Sequence, residues 1–322
     1  MRVLLVVNPT ASSVTPRVRA DVESVLRGAH TVDVSETTRR GHAETLARDA
    51  VDAGYEVVVV LAGDGTLNEA GGGLAGSHVV LAPLPGGSTN VFARTLGMAY
   101  TPGAAARQIV DALARGSQRR IGLGVATAPD AGPRRFLFHL GVGFDAAIMR
   151  RMETRPSVKR YLAHPAFAAT AVSTWFRHYD RGTRIEFTIF PEKGHSGEGR
   201  SEDDVAELIG EGPYAVISNS DPYAYVGRRP LHIAPDASLD DELTVTVMRT
   251  LRPAVVMRAA TAAVGRITYL TTSPEIVQRT DVGAVAVTSD APFPWQVDGD
   301  YLGEVDRLDI AYEPDALTVI VP

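Results

Sequence analysis

Apolar runs alternate with amphipathic segments through the first 115 residues of the chain. The run at residues 57–61, four valines and a leucine, has the composition of a buried parallel strand. Residues 18–27 instead repeat their apolar positions at helical spacing. Strands that alternate with helices predict a parallel sheet covered on both faces, so we predict an N-terminal Rossmann-like α/β domain over residues 1–122. Its predicted strands are residues 3–7, 31–35, 57–61 and 79–83.

The pattern changes near residue 121 to short strands separated by turns. Such a pattern is typical of antiparallel β structure, and we predict a C-terminal antiparallel β-sandwich domain over residues 123–322. A polar, glycine-rich stretch at residues 192–211 predicts a mobile loop. The predicted strands are residues 122–127, 136–143, 184–190, 215–218, 243–248, 283–289, 308–310 and 316–321, and the predicted helices are residues 159–178 and 254–265.

Composition narrows the class of protein. The chain of 322 residues has no cysteine, which excludes disulfides and thiol chemistry. Its net charge of -6 argues against general nucleic-acid binding. No apolar run approaches the roughly 20 residues that a membrane span needs. These features predict a cytoplasmic protein.

Two glycine-bearing turns follow predicted strands and open predicted helices. The first is Gly63-Asp64-Gly65, and the second contains Gly86 and Gly87. A strand, a glycine-rich turn and a helix together present backbone N–H groups to a phosphate. A carboxylate in such a turn suggests a bound Mg²⁺ or work on a hydroxyl proton. The alternative is an ordinary strand-to-helix turn.

The sequence Ala62-Gly-Asp-Gly-Thr-Leu-Asn-Glu69 resembles the nucleotide-binding signature of the diacylglycerol kinase and sphingosine kinase family of lipid kinases. The segments that begin at Asn8 and Gly87 resemble two further motifs of that family. The chain departs from the family pattern at Ser12, Ala62, Val91, Glu242 and Asp300.

This resemblance implies the diacylglycerol kinase-like fold, which is related to that of NAD kinase, with the last strands packing back on the first domain. It also implies that ATP and Mg²⁺ are the cofactors. Asp64 would orient Mg²⁺ or the acceptor hydroxyl. The residues that would bind the nucleotide are Asn8, Pro9, Thr10, Ala11, Ser12, Thr37, Gly63, Asp64, Gly65, Thr66, Leu67, Asn68, Glu69 and Ser88.

The resemblance assigns three further roles in the second half of the chain. Asp300 takes the position of the base that accepts the proton of the lipid hydroxyl. The alternative is a hairpin turn, because the preceding dipeptide Asp298-Gly299 is typical of hairpins. Asp145 either helps to bind the lipid head or caps a helix. The resemblance also implies that Ser238, Asp241 and the carbonyl of Leu243 bind a structural Mg²⁺. The alternative is that these residues form an acidic surface turn.

The function implied is ATP-dependent phosphorylation of a lipid hydroxyl, with diacylglycerol as the leading substrate. The enzyme would be peripheral to the inner face of the membrane and would meet its lipid substrate there. Arg150, Arg151 and neighbouring basic residues either meet anionic headgroups or form a solvated helix face. Two alternatives remain open, an NAD kinase-like enzyme for a soluble substrate and a non-catalytic nucleotide- or lipid-sensing homologue. A homodimer is also left open.

Overall fold

A computed structural model describes residues 1–129, 131–153, 184–190, 207–265 and 268–322. The chain divides into two units, Met1–Leu123 with Pro314–Pro322, and Gly124–Glu313. The predicted helix at residues 159–178 lies outside the described residues.

The elements follow in chain order. They are β1 (Arg2–Val7), α1 (Pro16–Arg27), β2 (Thr31–Glu36), α2 (His42–Asp52), β3 (Val57–Ala62), α3 (Asp64–Leu74), β4 (Val80–Pro85), α4 (Val91–Thr95), α5 (Pro102–Arg115), β5 (Gln118–Thr127), β6 (Arg134–Phe136), β7 (His139–Gly143), α6 (Phe144–Glu153), β8 (Ile185–Phe190), β9 (Glu207–Gly212), β10 (Tyr214–Ser218), β11 (Ala224–Val226), β12 (Arg229–Leu231), β13 (Leu243–Met248), α7 (Pro253–Val264), α8 (Thr268–Thr272), β14 (Ile276–Val282), β15 (Ala284–Val297) and β16 (Asp300–Ile320).

The first unit is built on a parallel sheet in the order β2-β1-β3-β4, to which the end of β16 adds a fifth strand beside β4. Every residue of β3 and β4 is buried, as expected for central strands with helices on both faces. All the loops at the carboxyl ends of these strands lie along one edge of the sheet, where ligands bind in open α/β folds.

Helices α2 and α3 of this unit pack at close range. A Cβ added at Gly73 would lie 2.5 Å from the carbonyl oxygen of Glu44 and 2.8 Å from the Cβ of Ala47. Glycine is therefore required at this crossing, and it fixes how deeply α3 sits against α2.

The second unit is antiparallel. Its strands run in the order β14-β13-β10-β7-β15, and β15 also pairs with the first half of β16 and with β8. Phe136, Phe187, Phe293 and Trp295 are among the large side chains of its buried core. The α/β first unit and the antiparallel second unit confirm the predicted fold class.

Three predicted element boundaries were wrong. Of the predicted loop at residues 192–211, positions 207–211 lie in strand β9, which pairs with β8, and positions 192–206 lie outside the described residues. The predicted strand at residues 136–143 is interrupted between β6 and β7. The last two predicted strands are one long strand, β16, whose residues before Pro314 belong to the second unit and whose last residues belong to the first.

Candidate functional site

The two glycine turns of the first unit are in direct contact. Gly86 donates its N–H to the carbonyl of Ala62 over 2.9 Å. A Cβ added at Gly87 would lie 2.7 Å from the Cα of Gly63, and one at Gly86 would lie 2.7 Å from the nitrogen of Ala62. Both positions therefore need glycine, because the two turns leave no room for a side chain between them.

Asp64 joins the first turn to the second. Its carboxylate accepts hydrogen bonds from the Thr89 hydroxyl at 3.1 Å and from the backbone N–H groups of Val91 and Phe92 at 3.0 and 3.2 Å. Burial raises the pKa of the Asp64 carboxyl, while these hydrogen bonds act in the opposite direction. The carboxylate thus caps the start of α4 from a neighbouring loop.

Asn90 gives the second turn its shape. Its backbone is left-handed, at φ 50°, a conformation that asparagine tolerates better than most residues. Its side chain accepts the N–H of Gly87 at 2.7 Å and donates to the carbonyl of the same residue at 2.9 Å. Ser88 is exposed at the tip of this turn.

The loop after β1 contacts both turns. The Asn8 amide donates to the Thr66 hydroxyl at 3.0 Å, and its oxygen accepts from the N–H and hydroxyl of Thr10. Ser13 donates its N–H to Gly86 and its hydroxyl to Gly87. Pro9 and Ser12 are exposed and Ala11 is half-buried along this loop. Three loops at one sheet edge therefore form a connected rim.

Thr37 and Glu69 complete the set predicted in this unit. Thr37 follows β2 and donates its N–H to the carbonyl of Val7 at 2.9 Å. Glu69 accepts the N–H groups of Gly41 at 2.7 Å and Ala43 at 3.3 Å, so it caps α2. Gly65 and Thr66 lie in the first turn of α3, whereas Leu67 and Asn68 are buried.

A pocket of about 360 Å³ opens beside the β1 loop, next to Pro9 and the start of α1. Its one basic side chain, Arg19, is ion-paired with both Glu23 and Glu36. Two carboxylates around one guanidinium disfavour a polyphosphate, so the rim formed by the three loops is the better anion site.

In the second unit, Asp298 and Asp300 follow β15. Asp298 is buried, and its carboxylate accepts the backbone N–H groups of Leu137, Phe138 and His139 at 2.7–3.1 Å. These contacts explain the interruption between β6 and β7, because a side chain replaces the partner strand there. Asp300 is half-buried at the first position of β16.

Asp145 lies in the first turn of α6 within a buried polar cluster. It accepts hydrogen bonds from the Tyr223 hydroxyl at 2.6 Å and the Gln296 amide at 2.8 Å. Burial raises the pKa of Asp145 to about 6. The ring of His139 stacks on Tyr223 with centroids 4.2 Å apart, and burial lowers the pKa of His139 to about 3.

The predicted metal residues lie on the turn that leads into β13. Ser238 accepts the N–H of Asp240 on its hydroxyl and that of Asp241 on its carbonyl, while the Asp241 side chain is exposed and Leu243 is buried. Oxygen donors of this kind suit Mg²⁺. In the described part of the chain, however, no three His, Cys, Asp or Glu side chains are grouped as a metal site.

Sequence reasoning missed Thr89, Ser13 and the backbone contacts of Glu69 and Asp298. Thr89 stands next to Ser88, and its hydroxyl was a visible signal. The contacts of Glu69 and Asp298 join residues 26–28 and 159–161 positions apart, respectively. No local sequence pattern indicates contacts over such separations.

Comparisons with known proteins agree with this geometry. Residues 2–125 match the family described as "Diacylglycerol kinase catalytic domain". Through these residues the chain is similar to the diacylglycerol kinase family, the resemblance that the motifs predicted.

Curated relatives include two proteins named "Probable lipid kinase YegS-like". The one from Pseudomonas putida is 32% identical over 158 residues, which cover 48% of this chain and 50% of the relative. The one from Chromohalobacter salexigens is 31% identical over 180 residues, or 55% of this chain and 54% of the relative. The chain thus spans about half the length of the curated relatives it matches.

Solved structures extend the similarity of fold to the whole chain. Two structures from Bacillus anthracis, whose titles name a diacylglycerol kinase, superpose with TM-scores of 0.70 and 0.75 at 18% and 19% identity. They cover 100% of this chain, which in turn covers 97% and 95% of theirs. At this identity they show the fold alone.

Proposed function

We propose that the protein is an ATP-dependent lipid kinase that transfers the γ-phosphoryl group to a lipid hydroxyl, with diacylglycerol as the leading substrate. One observation carries the proposal: two glycine turns in contact with one another at the carboxyl edge of a parallel sheet, joined by Asp64. Similarity to a diacylglycerol kinase catalytic domain and to probable lipid kinases supports the same reaction class.

The phosphates would lie on the rim formed by the Asn8, Gly63 and Gly86 loops. The first N–H groups of α3 have no partner within the helix and carry its positive dipole end, so they suit an anion. In this arrangement Asp64 is a positioning residue that holds the second turn against the first. Thr37 and Ser88 stand at the same sheet edge and would contact the nucleotide.

Phosphoryl transfer depends on positioning and charge neutralisation more than on covalent chemistry. Mg²⁺ would neutralise charge on the phosphates, with Asp64 supplying a carboxylate on the rim and the turn of Ser238, Asp241 and Leu243 as a separate structural site. Asp300 would accept the proton of the lipid hydroxyl. The oxygen of that hydroxyl would bond to the γ-phosphorus as the bond to ADP breaks.

The test combines nucleotide binding with a product assay. The protein is titrated with ATP and Mg²⁺ by calorimetry, then incubated with labelled ATP and mixed micelles of diacylglycerol, other acylglycerols, ceramide, sphingoid bases or prenols. We expect ATP binding and labelled phosphatidic acid. ATP binding without any lipid product would support the non-catalytic alternative, and NADP formation from NAD would support the NAD kinase-like one.

Three variants separate the roles. Asp64→Asn removes one acceptor from the contact between the turns and should weaken ATP binding at least about tenfold, since hydrogen bonds to a charged group each contribute about 1.5–3 kcal/mol. Thr89→Val removes one neutral donor and should weaken it only a few-fold. Asp300→Asn should lower kcat by about a hundredfold or more and leave ATP binding unchanged. Equal ATP affinity in all three would contradict the assignment.

A further inference from the structure

Helix α7 of the second unit packs one face inward and leaves an apolar face open. Val255, Ala259, Ala262 and Ala263 are buried in a small core cluster. On the opposite face, Met257 is 65% exposed and Val264 is 42% exposed. Met257 is the most exposed large hydrophobic side chain in the described part of the chain, and the residues around it on this face are Pro253, Ala254, Ala260 and Thr261.

The stretch of sequence that contains this helix carries charge of one sign. Asp and Glu make up 38 of the 322 residues, yet none occurs between residues 243 and 274, a stretch that holds four arginines. Two of these, Arg252 and Arg258, are exposed on α7 or at its start. Because the whole chain carries a net charge of -6, this stretch is a local reversal of its charge.

The hairpin β11–β12 packs beside α7. Leu231 of this hairpin packs against the cluster under α7, and His232 donates its N–H to the carbonyl of Ala263 at 2.9 Å. At its tip, Val226 is 49% exposed and is followed by Arg228 and the exposed Arg229. Residues 222–235 also contain no acidic residue.

We propose that this basic apolar surface, made of Arg252, Met257, Arg258, Val264, Val226 and Arg229, docks the protein on an anionic lipid bilayer. Arginines near an anionic membrane each strengthen binding by about fivefold, and the exposed methionine and valines would enter the acyl boundary between the headgroups. The inference rests on the proposed function in one respect: a kinase of lipid hydroxyls finds its substrate in a bilayer.

The positive charge of this surface favours an anionic bilayer, rather than a second copy of the chain, as its binding partner. A twofold interface places the same patch on both sides, so arginines would face arginines without a carboxylate between them. Arg150, by contrast, is ion-paired with Glu304 and lies over the ring of Tyr301, so it is a weaker candidate for lipid headgroups. Basic residues 155, 159 and 160 lie outside the described residues.

Vesicle sedimentation tests the proposal with the full chain. Phosphatidylcholine vesicles are compared with vesicles containing one third phosphatidylglycerol, in the absence of ATP. We expect the wild-type protein to sediment with the anionic vesicles only. Met257→Glu, and separately Arg252→Glu combined with Arg258→Glu, should reduce the bound fraction at least tenfold. Leu208→Glu is the matched control, since Leu208 is 59% exposed on β9, and it should leave binding within twofold.

The other readouts separate this proposal from the proposed function. Phosphorylation of a short-chain, water-dispersed diacylglycerol should be equal in all variants, and circular dichroism confirms that each is folded. Vesicle binding that is equal in Met257→Glu and Leu208→Glu would overturn the docking surface even if the enzyme is an active lipid kinase. A concentration-dependent dimer that Met257→Glu dissociates, without vesicle binding, would overturn it in favour of a second copy.

Discussion

The buried and half-buried ionisable side chains of this protein differ in how completely their polar atoms are satisfied. Asp64 and Asp298 receive hydrogen bonds from backbone N–H groups of neighbouring segments, and such bonds offset the cost of burying a carboxylate. His139 is only 4% exposed, and neither of its ring nitrogens has a hydrogen-bond partner. Its environment therefore favours the neutral ring.

The buried, unpaired ring of His139 predicts how His139→Phe changes stability at low pH. Because the folded pKa of about 3 lies below the ordinary 6.5, the unfolded chain binds the proton first, and stability is lost as the pH falls below 6.5. Between about pH 7 and pH 4, at 1.36 kcal/mol per pH unit, the wild-type protein should lose about 3 kcal/mol relative to the variant. Urea unfolding at both pH values measures this.

Asp145→Asn should show the opposite sign. The folded pKa of Asp145, about 6, lies above its ordinary value, so its contribution is fully present at low pH and is lost as the pH rises through 6. Relative to the variant, the wild-type protein should lose about 2 kcal/mol between about pH 4 and pH 7. If the difference in unfolding free energy between the wild-type protein and the variant stayed constant from pH 4 to pH 7, the burial of a carboxyl at this position would be contradicted.

At the scale of single residues, the sequence predicted which side chains matter better than it predicted what they contact. The motif around Asp64 identified the carboxylate, but its partners Thr89, Val91 and Phe92 lie 25–28 residues away. A glycine turn can be recognised locally. The side chain that holds it against another turn depends on how the sheet orders its strands.

Among the elements, the packing of α3 on α2 predicts opposite effects for two adjacent glycines. Gly73→Ala places a Cβ 2.5 Å from the Glu44 carbonyl oxygen and should cost about 1–3 kcal/mol of unfolding free energy. Gly72→Ala meets nothing within 4 Å and should gain up to about 1 kcal/mol from helix propensity. Urea unfolding distinguishes them, and equal effects would contradict the close packing.

The cap on α2 makes a second prediction at this scale. Glu69→Gln keeps one acceptor oxygen but loses the other and the negative charge. It should lower the free energy of unfolding by about 1 kcal/mol. Glu44→Gln is the control, because Glu44 lies in the first turn of the same helix and is paired with Arg48 at the surface. It should cost at most about 0.5 kcal/mol. The ratio of the two losses, measured by thermal unfolding, tests the cap.

Element types were predictable where the hydrophobic period was regular, as in the strands of the parallel sheet. Strand β9 was missed because Glu207, Gly210 and Glu211 give it a polar composition, and its pairing with β8 decides its structure instead. The interruption between β6 and β7 was missed because Asp298, about 160 residues away, takes over the hydrogen bonds there.

For the whole molecule, the location of all three rim loops in the first unit predicts a pattern of amide hydrogen exchange. Saturating ATP should slow exchange at residues 8–13, 63–69 and 86–92, since binding stabilises the state that holds it by about 2.7 kcal/mol at a hundredfold excess over Kd. The acid-free stretch at residues 243–274 should not respond to ATP. Protection confined to the second unit would contradict a nucleotide site on the rim.

The length and hydropathy of the helices also bear on how the protein could meet a membrane. None of the helices in the described ranges is long and apolar enough to cross a bilayer.

The fifth strand of the first unit comes from the last residues of the chain. During translation, β4 lacks its outer neighbour until residues 314–322 have been synthesised. A truncation just before residue 314 would therefore damage a sheet whose other strands are synthesised much earlier, and would leave an open strand edge available for pairing with other nascent chains.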